Sequence, residues 1–113
     1  MQGCIALLVS DPAVLSSLQF ALSVEGFTLA AAGQERIATA LVVDQAYRGD
    51  GLAALASLRA KGCAAPAIIL ATNPTASFRA RAAHACATLI EKPLLGDELS
   101  RAISRALQPR KAA

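Results

Sequence analysis

Leu41-Val42-Val43-Asp44 is the stretch of sequence that decides the fold of this chain. Three apolar residues in a row, two of them β-branched, favour a strand that is buried on both faces, and a carboxylate follows directly at its end. Similar runs lie at residues 5–9 (IALLV), 27–30 (FTLA), 66–70 (PAIIL) and 88–90 (TLI). Strands this uniformly apolar need cover on both faces, which predicts a parallel sheet of five strands between two layers of helices.

The segments between these runs carry helical patterns. Such patterns occupy residues 12–25, 51–61 and 77–85, and a last one begins at Asp97. Ser10 or Asp11 is expected to cap the first helix, because Pro12 suits its first turn. The stretch 31–40 has room for little more than a single helical turn, so the second helix of the pattern is expected to be strongly shortened.

Composition and charge limit the class of protein. The chain has 113 residues, of which 55% are apolar and 17% charged, and this composition excludes a disordered chain. The length suits one domain at residues 1–108 with a short basic tail at 109–113. Eleven basic residues against eight acidic ones give a weak excess, and the few aromatic residues are scattered, so direct nucleic-acid binding is not expected. The sequence shows no membrane span and no secretory leader, which predicts a cytoplasmic protein.

The three cysteines point to no covalent framework. Cys4, Cys63 and Cys86 lie far apart and form no C-x-x-C pair. This spacing fits neither a set of disulfides nor a zinc site. They are expected to be small apolar residues of the interior in a reducing compartment.

Residues with chemistry follow the predicted strands. Ser10-Asp11 follows the first strand, Asp44 ends the third, Thr72 follows the fourth and Lys92 the fifth. Because the carboxyl ends of parallel strands meet at one edge, these side chains are expected to lie together. The set suits a phosphoryl group, with the carboxylate as acceptor and the ammonium and hydroxyl on its oxygens. As structural alternatives, Thr72 could cap the following turn and Lys92 could be a solvated lysine.

Two other classes on the same architecture fit less well. A phosphatase with an aspartate nucleophile needs a second carboxylate two residues after the first, and Ala46 stands there. A flavin or nucleotide site needs glycines or hydroxyls in series after the first strand, and residues 10–13 (SDPA) offer one hydroxyl and no glycine. A signalling module is therefore expected rather than an enzyme.

On these residues the chain resembles the receiver domains of response regulators in two-component signalling, in particular the receivers that precede a LuxR-type DNA-binding domain in nitrogen-fixation regulators. The matching segments are residues 11–27, 41–44, 50–52, 69–72 and 89–94, within a resemblance that runs from about residue 4 to 107. It implies a three-layer flavodoxin-like (CheY-like) α/β fold with strand order 2-1-3-4-5. It also implies that Asp44 is the phosphoacceptor, Thr72 the switch hydroxyl and Lys92 the phosphate-binding lysine, and that the Lys92-Pro93 peptide bond is cis.

The sequence departs from this family where Mg²⁺ would bind. The family has two acidic residues at the end of the first strand, and this chain has Val9 and Ser10 there, with Asp11 one place later. Mg²⁺ requires several oxygen ligands, so a site made of Asp44 and Asp11 is expected to be defective. The switch aromatic expected three residues before the lysine is Leu89. A receiver phosphorylated at Asp44 and a phosphorylation-independent pseudo-receiver that binds other proteins both fit these residues.

The resemblance implies partners that are proteins. The expected partner is a sensor histidine kinase or another signalling protein, and a homodimer is a further option. The output face of the family would expose four basic residues here, which are Arg81, His84, Arg101 and Arg105. Their alternative is an ordinary solvated surface.

Overall fold

The computed structural model describes residues 4–30, 34, 37–92 and 98–107. Within these residues the strands are β1 (Cys4–Leu8), β2 (Thr28–Leu29), β3 (Ala40–Asp44), β4 (Ala67–Ala71) and β5 (Ala87–Glu91). The helices are α1 (Pro12–Val24), α2 (Gly51–Ala60), α3 (Ala76–His84) and α4 (Glu98–Leu107), with a 3₁₀ turn at Tyr47–Gly49. Every strand and helix predicted within this part of the chain is present, and most ends differ from the prediction by one or two residues.

The five strands form one parallel sheet in the order β2-β1-β3-β4-β5, which confirms the predicted topology. Neighbouring strands are in register at their carboxyl ends: Leu8 pairs with Val43, Asp44 with Leu70, and Ala71 with Glu91. These pairings bring the ends of β3, β4 and β5 to one edge of the sheet.

In the described part of the chain, two helices pack on each face of the sheet. One core cluster joins alternate strand residues such as Val42 and Ile68 to α1 and α4, and the other joins Val43 and Ile69 to α2 and α3. All residues of the two central strands, β3 and β4, are buried. Their apolar side chains therefore face helices on both sides, as the uninterrupted apolar runs predicted.

Polar side chains fix where three of the helices begin. Asp11 caps α1, and its Oδ1 accepts hydrogen bonds from the backbone N–H groups of Ala13 and Val14 at 2.9 and 3.4 Å. Asp50 caps α2, and the hydroxyl of Thr75 caps α3 by accepting from the N–H of Phe78 at 3.0 Å. Such caps satisfy N–H groups that have no partner inside the helix.

Several expectations fall outside the described residues. These are most of the shortened second helix, the Lys92-Pro93 bond, the start of the last helix at Asp97, and the tail at 109–113. The described helices include none that is both long and apolar enough to cross a membrane.

The cysteine prediction is correct for one residue only. Cys63 is buried, Cys4 is half-buried, and Cys86 is exposed. Cys86 has a φ of +57° in the turn between α3 and β5. This tight turn places its side chain outside the core, so its expected role as an interior residue is wrong.

Candidate functional site

The sheet edge at the carboxyl ends of β3, β4 and β5 holds the predicted site residues. Asp44 is the last residue of β3, Thr72 follows β4, and Lys92 follows β5. The backbone N–H of Lys92 donates to the carbonyl of Ala71 at 2.7 Å. This hydrogen bond holds Lys92 beside the end of β4, where Thr72 follows. The parallel register thus gathers residues 20 to 48 positions apart in sequence, as the motif order predicted.

Asp44 places a buried carboxylate at this edge of the sheet. Its residue is 9% exposed. Its Oδ1 accepts a hydrogen bond from the Lys92 ammonium, and its Oδ2 accepts one from the backbone N–H of Ala46 at 3.0 Å. The expected contact between Asp44 and Lys92 is confirmed, and the alternative of a solvated Lys92 is wrong.

The two members of this ion pair differ in their access to water. The side chain of Asp44 is 13% exposed, whereas that of Lys92 is 32% exposed. A carboxylate removed from water needs a cation or N–H donors to remain charged at low cost. Lys92 supplies that cation, and its side chain is the more exposed of the two. The pair therefore holds a charged, oriented carboxylate just below the surface.

The loop after Asp44 is tied to the ends of two further strands. The Arg48 N–H donates to the hydroxyl of Ser10 after β1 at 3.1 Å. The side-chain carbonyl of Gln45 accepts from the N–H of Thr72 after β4. The guanidinium carbon of Arg48 lies 5.2 Å from the centre of the Tyr47 ring, within cation–π range. These contacts fix the conformation of the loop that follows Asp44.

Gly51 lets this loop turn into α2. A Cβ at this position would lie 2.1 Å from the carbonyl oxygen of Asp44, so no other residue fits without moving the backbone. The N–H of Gly51 donates to the carbonyl of Gln45 at 2.8 Å. The start of α2 is therefore packed directly against the residue that carries the carboxylate.

Gln45 and Ser10 are site residues that the sequence did not single out for these roles. Gln45 accepts a hydrogen bond from a backbone N–H 27 positions away, and Ser10 accepts one from a backbone N–H 38 positions away. Only the register of the sheet brings those donors within reach. Thr72 contributes its N–H to this network, and the cap of α3 is provided by Thr75 instead. The predicted role of the Thr72 hydroxyl stays a prediction.

Asp11 is engaged at the start of α1. Its Oδ1 accepts from two N–H groups of α1. Among the described residues there is no group of three or more His, Cys, Asp or Glu side chains that could hold a metal ion. Asp44 itself already accepts two hydrogen bonds. Mg²⁺ takes several oxygen ligands in near-octahedral geometry, and the expected defect of a site made of Asp44 and Asp11 stays a prediction.

Asp50 connects this loop to α3. Its carboxylate accepts hydrogen bonds from the N–H groups of Leu52 and Ala53 and forms an ion pair with Arg81 at 3.1 Å. The hydrogen bond from Arg81, together with these N–H groups, holds the pKa of the Asp50 carboxyl below its usual 3.8. A cation on α3 is thus joined to the residue that caps α2.

Three of the four basic residues predicted for the partner surface line two cavities in the described part of the chain. Arg81 and His84 line a groove between α2 and α3. Arg105 lines a different cavity, beside the amino ends of β4 and β5. Arg101 is exposed on α4. These cavities do not test the single output face that the resemblance implies, and it stays a prediction.

Solved structures with this architecture belong to response regulators. The receiver domain protein (CheY-like) from Methanospirillum hungatei JF-1 superposes with a TM-score of 0.82 at 19% identity, over 95% of this chain and 94% of that one. FixJ-N superposes with a TM-score of 0.79 at 23% identity, over 100% and 99%. NtrX from Brucella abortus superposes with a TM-score of 0.81 at 23% identity over 95% of this chain, which spans 27% of the NtrX chain.

These likenesses establish the fold. The sequence matches no protein-family model. No curated protein matches it significantly either. The chain therefore has the five-stranded fold of receiver domains, in agreement with the resemblance found in its sequence.

Proposed function

We propose that residues 1–108 form a receiver-like signalling module of a two-component or phosphorelay system, with Asp44 as its phosphoacceptor. The observation that carries this proposal is the ion pair between Asp44 and Lys92 at the carboxyl edge of the sheet. Functional groups of open parallel sheets gather at this edge. A charged carboxylate beside an ammonium is the minimum set for accepting and holding a phosphoryl group.

The transfer would proceed through the carboxylate alone. An oxygen of Asp44 attacks the phosphorus of a donor such as acetyl phosphate, an Oδ–P bond forms, and the bond from phosphorus to the acetyl oxygen breaks. Acetate leaves with the electron pair, so no proton has to move. Lys92 then exchanges its hydrogen bond with the carboxylate for one with the new phosphoryl oxygens, whose negative charge it offsets.

The metal would contribute little to this transfer. In the family, Mg²⁺ offsets the charge of the arriving phosphoryl group. We infer that the carboxylates at this edge are too few to hold that ion tightly, so Lys92 is the cation that acts beside Asp44. We therefore propose slow phosphorylation with a weak dependence on Mg²⁺.

A phosphorylation-independent pseudo-receiver is the second candidate function. Both oxygens of Asp44 accept hydrogen bonds from within the protein, one from Lys92 and one from the N–H of Ala46. An incoming phosphoryl donor therefore meets a carboxylate whose two oxygens are both already engaged. If the ion pair is permanent, the chain acts only by binding a partner protein, such as a sensor kinase or another signalling protein.

Incubation with acetyl phosphate distinguishes the two functions. The protein is treated with the donor, with and without Mg²⁺, and its intact mass is measured before and after exposure to alkali, which hydrolyses acyl phosphates. A working receiver gains one alkali-labile phosphoryl group, and Asp44→Asn gains none. Asp50→Asn is the matched control, because Asp50 caps α2 and is not the proposed acceptor.

Two results contradict phosphorylation at Asp44. One is the absence of any adduct under all conditions, which favours the pseudo-receiver. The other is an adduct that persists in Asp44→Asn. Light scattering at high protein concentration, with and without the donor, tests the homodimer, and a protein that stays monomeric in both conditions rejects it.

A further inference from the structure

A groove runs between α2 and α3, on the helical layer that packs against Val43 and Ile69. Its volume is about 420 Å³. Four apolar side chains line it, which are Leu52, Ala53, Ala56 and Ala85. Leu52 is buried, whereas Ala53 and Ala56 are exposed and small. The groove thus has an apolar lining that leaves room for a large side chain from outside.

The polar lining of the groove is entirely basic. Arg59, Arg81 and His84 line it, and its described lining residues include no carboxylate. Arg59 donates to the backbone carbonyls of Cys63, Ala65 and Ala85, so its hydrogen bonds are satisfied without an acidic partner there. A concave surface with cations and apolar groups attracts a ligand that combines negative charge with apolar bulk.

Arg81 is held in a way that permits exchange. Its ion pair with Asp50 is exposed, with 51% and 44% of the two side chains accessible. Exposed pairs of this kind contribute little to stability. Asp50 would still accept from the N–H groups of Leu52 and Ala53 if Arg81 moved away. A carboxylate from a partner could therefore take Arg81 at small cost.

We propose that this groove binds a short amphipathic segment of a partner protein, with a bulky apolar side chain between the two helices and carboxylates on Arg81 and His84. A helix laid into an apolar groove is a common form of peptide recognition. A nucleic acid would satisfy the cations but has no aliphatic side chain for the apolar lining. A second copy of this chain is disfavoured by its net charge of +3.

This proposal gives the chemistry of a partner and does not depend on phosphorylation of Asp44. It also links partner binding to the loop after Asp44, because Asp50 lies at the end of that loop and loses its arginine when the segment binds. All binding measurements below are made without a phosphoryl donor, so a failure of the proposed phosphorylation leaves the result interpretable.

A synthetic peptide of about twelve residues serves as the probe. It contains alanine, two leucines at positions i and i+4, and flanking glutamates, and its control carries lysine in place of every glutamate. Fluorescence anisotropy is expected to show at least about tenfold tighter binding of the acidic peptide, weakened by salt. Amide chemical-shift changes are expected to concentrate on α2 and α3.

Variants locate the binding surface. Ala56→Glu places a bulky negative charge in the groove and is expected to weaken binding about tenfold or more. Arg81→Gln removes one exposed charge contact and is expected to weaken binding about threefold. Arg105→Gln, which lies on the other cavity, is the matched control and should bind as the unchanged protein does.

Three outcomes overturn the proposal. The first is equal affinity for the acidic and basic peptides, or no binding of either. The second is a set of shift changes on α4 and β5 in place of α2 and α3. The third is an Ala56→Glu variant that is folded by circular dichroism and binds the acidic peptide undiminished.

Discussion

The two ends of the sheet each hold a cation, and they hold it differently. At the carboxyl end, Lys92 forms an ion pair with the Asp44 carboxylate. At the amino end, Arg59 reaches from the last turn of α2 to the backbone carbonyls of Cys63 and Ala65, before β4, and of Ala85, before β5. Lys92 contacts a carboxylate, whose charge can change, whereas Arg59 contacts backbone carbonyls, which remain neutral dipoles.

Under the proposed function, this difference separates the functional end of the sheet from a structural one. Backbone carbonyls cannot be phosphorylated or protonated near neutral pH, so the contacts of Arg59 act only to join two connections of the fold. A carboxylate can accept a group or a proton, and its partner lysine can follow the change. The same fold therefore contains a fixed link and an exchangeable one at opposite ends of β4.

The largest expected effect comes from Arg59→Met at the amino end. The variant keeps much of the aliphatic stem and leaves three carbonyls without their charged donor, and we expect the free energy of unfolding to fall by about 2 to 4 kcal/mol. Urea unfolding followed by circular dichroism measures it. Arg105→Met, on the same cavity but with an exposed side chain, is the control and is expected to cost under about 0.5 kcal/mol. Equal losses of unfolding free energy in Arg59→Met and Arg105→Met would contradict the structural role of Arg59.

A smaller and asymmetric effect is expected at the carboxyl end. Lys92→Met leaves a mostly buried carboxylate without its cation and is expected to cost about 1 to 2 kcal/mol. Asp44→Asn leaves a lysine that is 32% exposed and can turn to solvent, so it is expected to cost less. The double variant should recover part of the loss of Lys92→Met.

Thermal unfolding of the unchanged protein and the three variants gives the interaction free energy of the pair. If the double variant loses the sum of the two single losses, the two side chains do not interact in solution.

The smallest effect is expected from Arg81→Gln, between the loop and α3. The Arg81 hydrogen bond is the leading cause that lowers the pKa of Asp50, so the pKa should rise toward 3.8 in the variant. A depressed pKa in the folded state contributes stability above the unfolded pKa, and this stability is lost as the pH falls through the folded pKa. The variant is therefore expected to be less stable by at most about 0.5 kcal/mol at neutral pH, and the difference should vanish as the pH falls through the lowered pKa of Asp50.

Carboxyl carbon shifts measured by NMR across this pH range follow Asp50 directly. Asp11 is the internal control, because it caps α1 and lies on another helix. An unchanged titration of Asp50 in Arg81→Gln would show that the ion pair does not persist in solution.

Much of the fold could be predicted because its signals are local. Uninterrupted apolar runs indicated the buried strands, and Asp11 and Pro12 indicated the start of α1. The predicted helix at 77–85 is displaced by one residue, since Thr75 rather than a later residue caps α3. Helix ends depend on which side chain reaches the free N–H groups, and several residues near a turn are able to do so.

The placement of the candidate residues could be predicted from the sequence, and the hydrogen bonds around them could not. The order of carboxylate, hydroxyl and lysine at successive strand ends indicated Asp44, Thr72 and Lys92. The contacts of Gln45 with Thr72 and of Ser10 with Arg48 carried no sequence signal, since a glutamine or serine beside a strand end has many other roles. Arg81 and Arg105 line different cavities, and their expected common surface stays a prediction.

The sequence by itself determined the layers, the parallel sheet and the edge at which chemistry gathers, since these follow from the period and length of apolar runs. Only the tertiary structure decided which group each cationic side chain contacts. Lys92 pairs with the Asp44 carboxylate, Arg59 donates to backbone carbonyls, and Arg81 pairs with Asp50, which caps α2. These contacts depend on distances of a few ångströms between segments that are far apart in the chain. Such distances are fixed only when all the strands have paired in register.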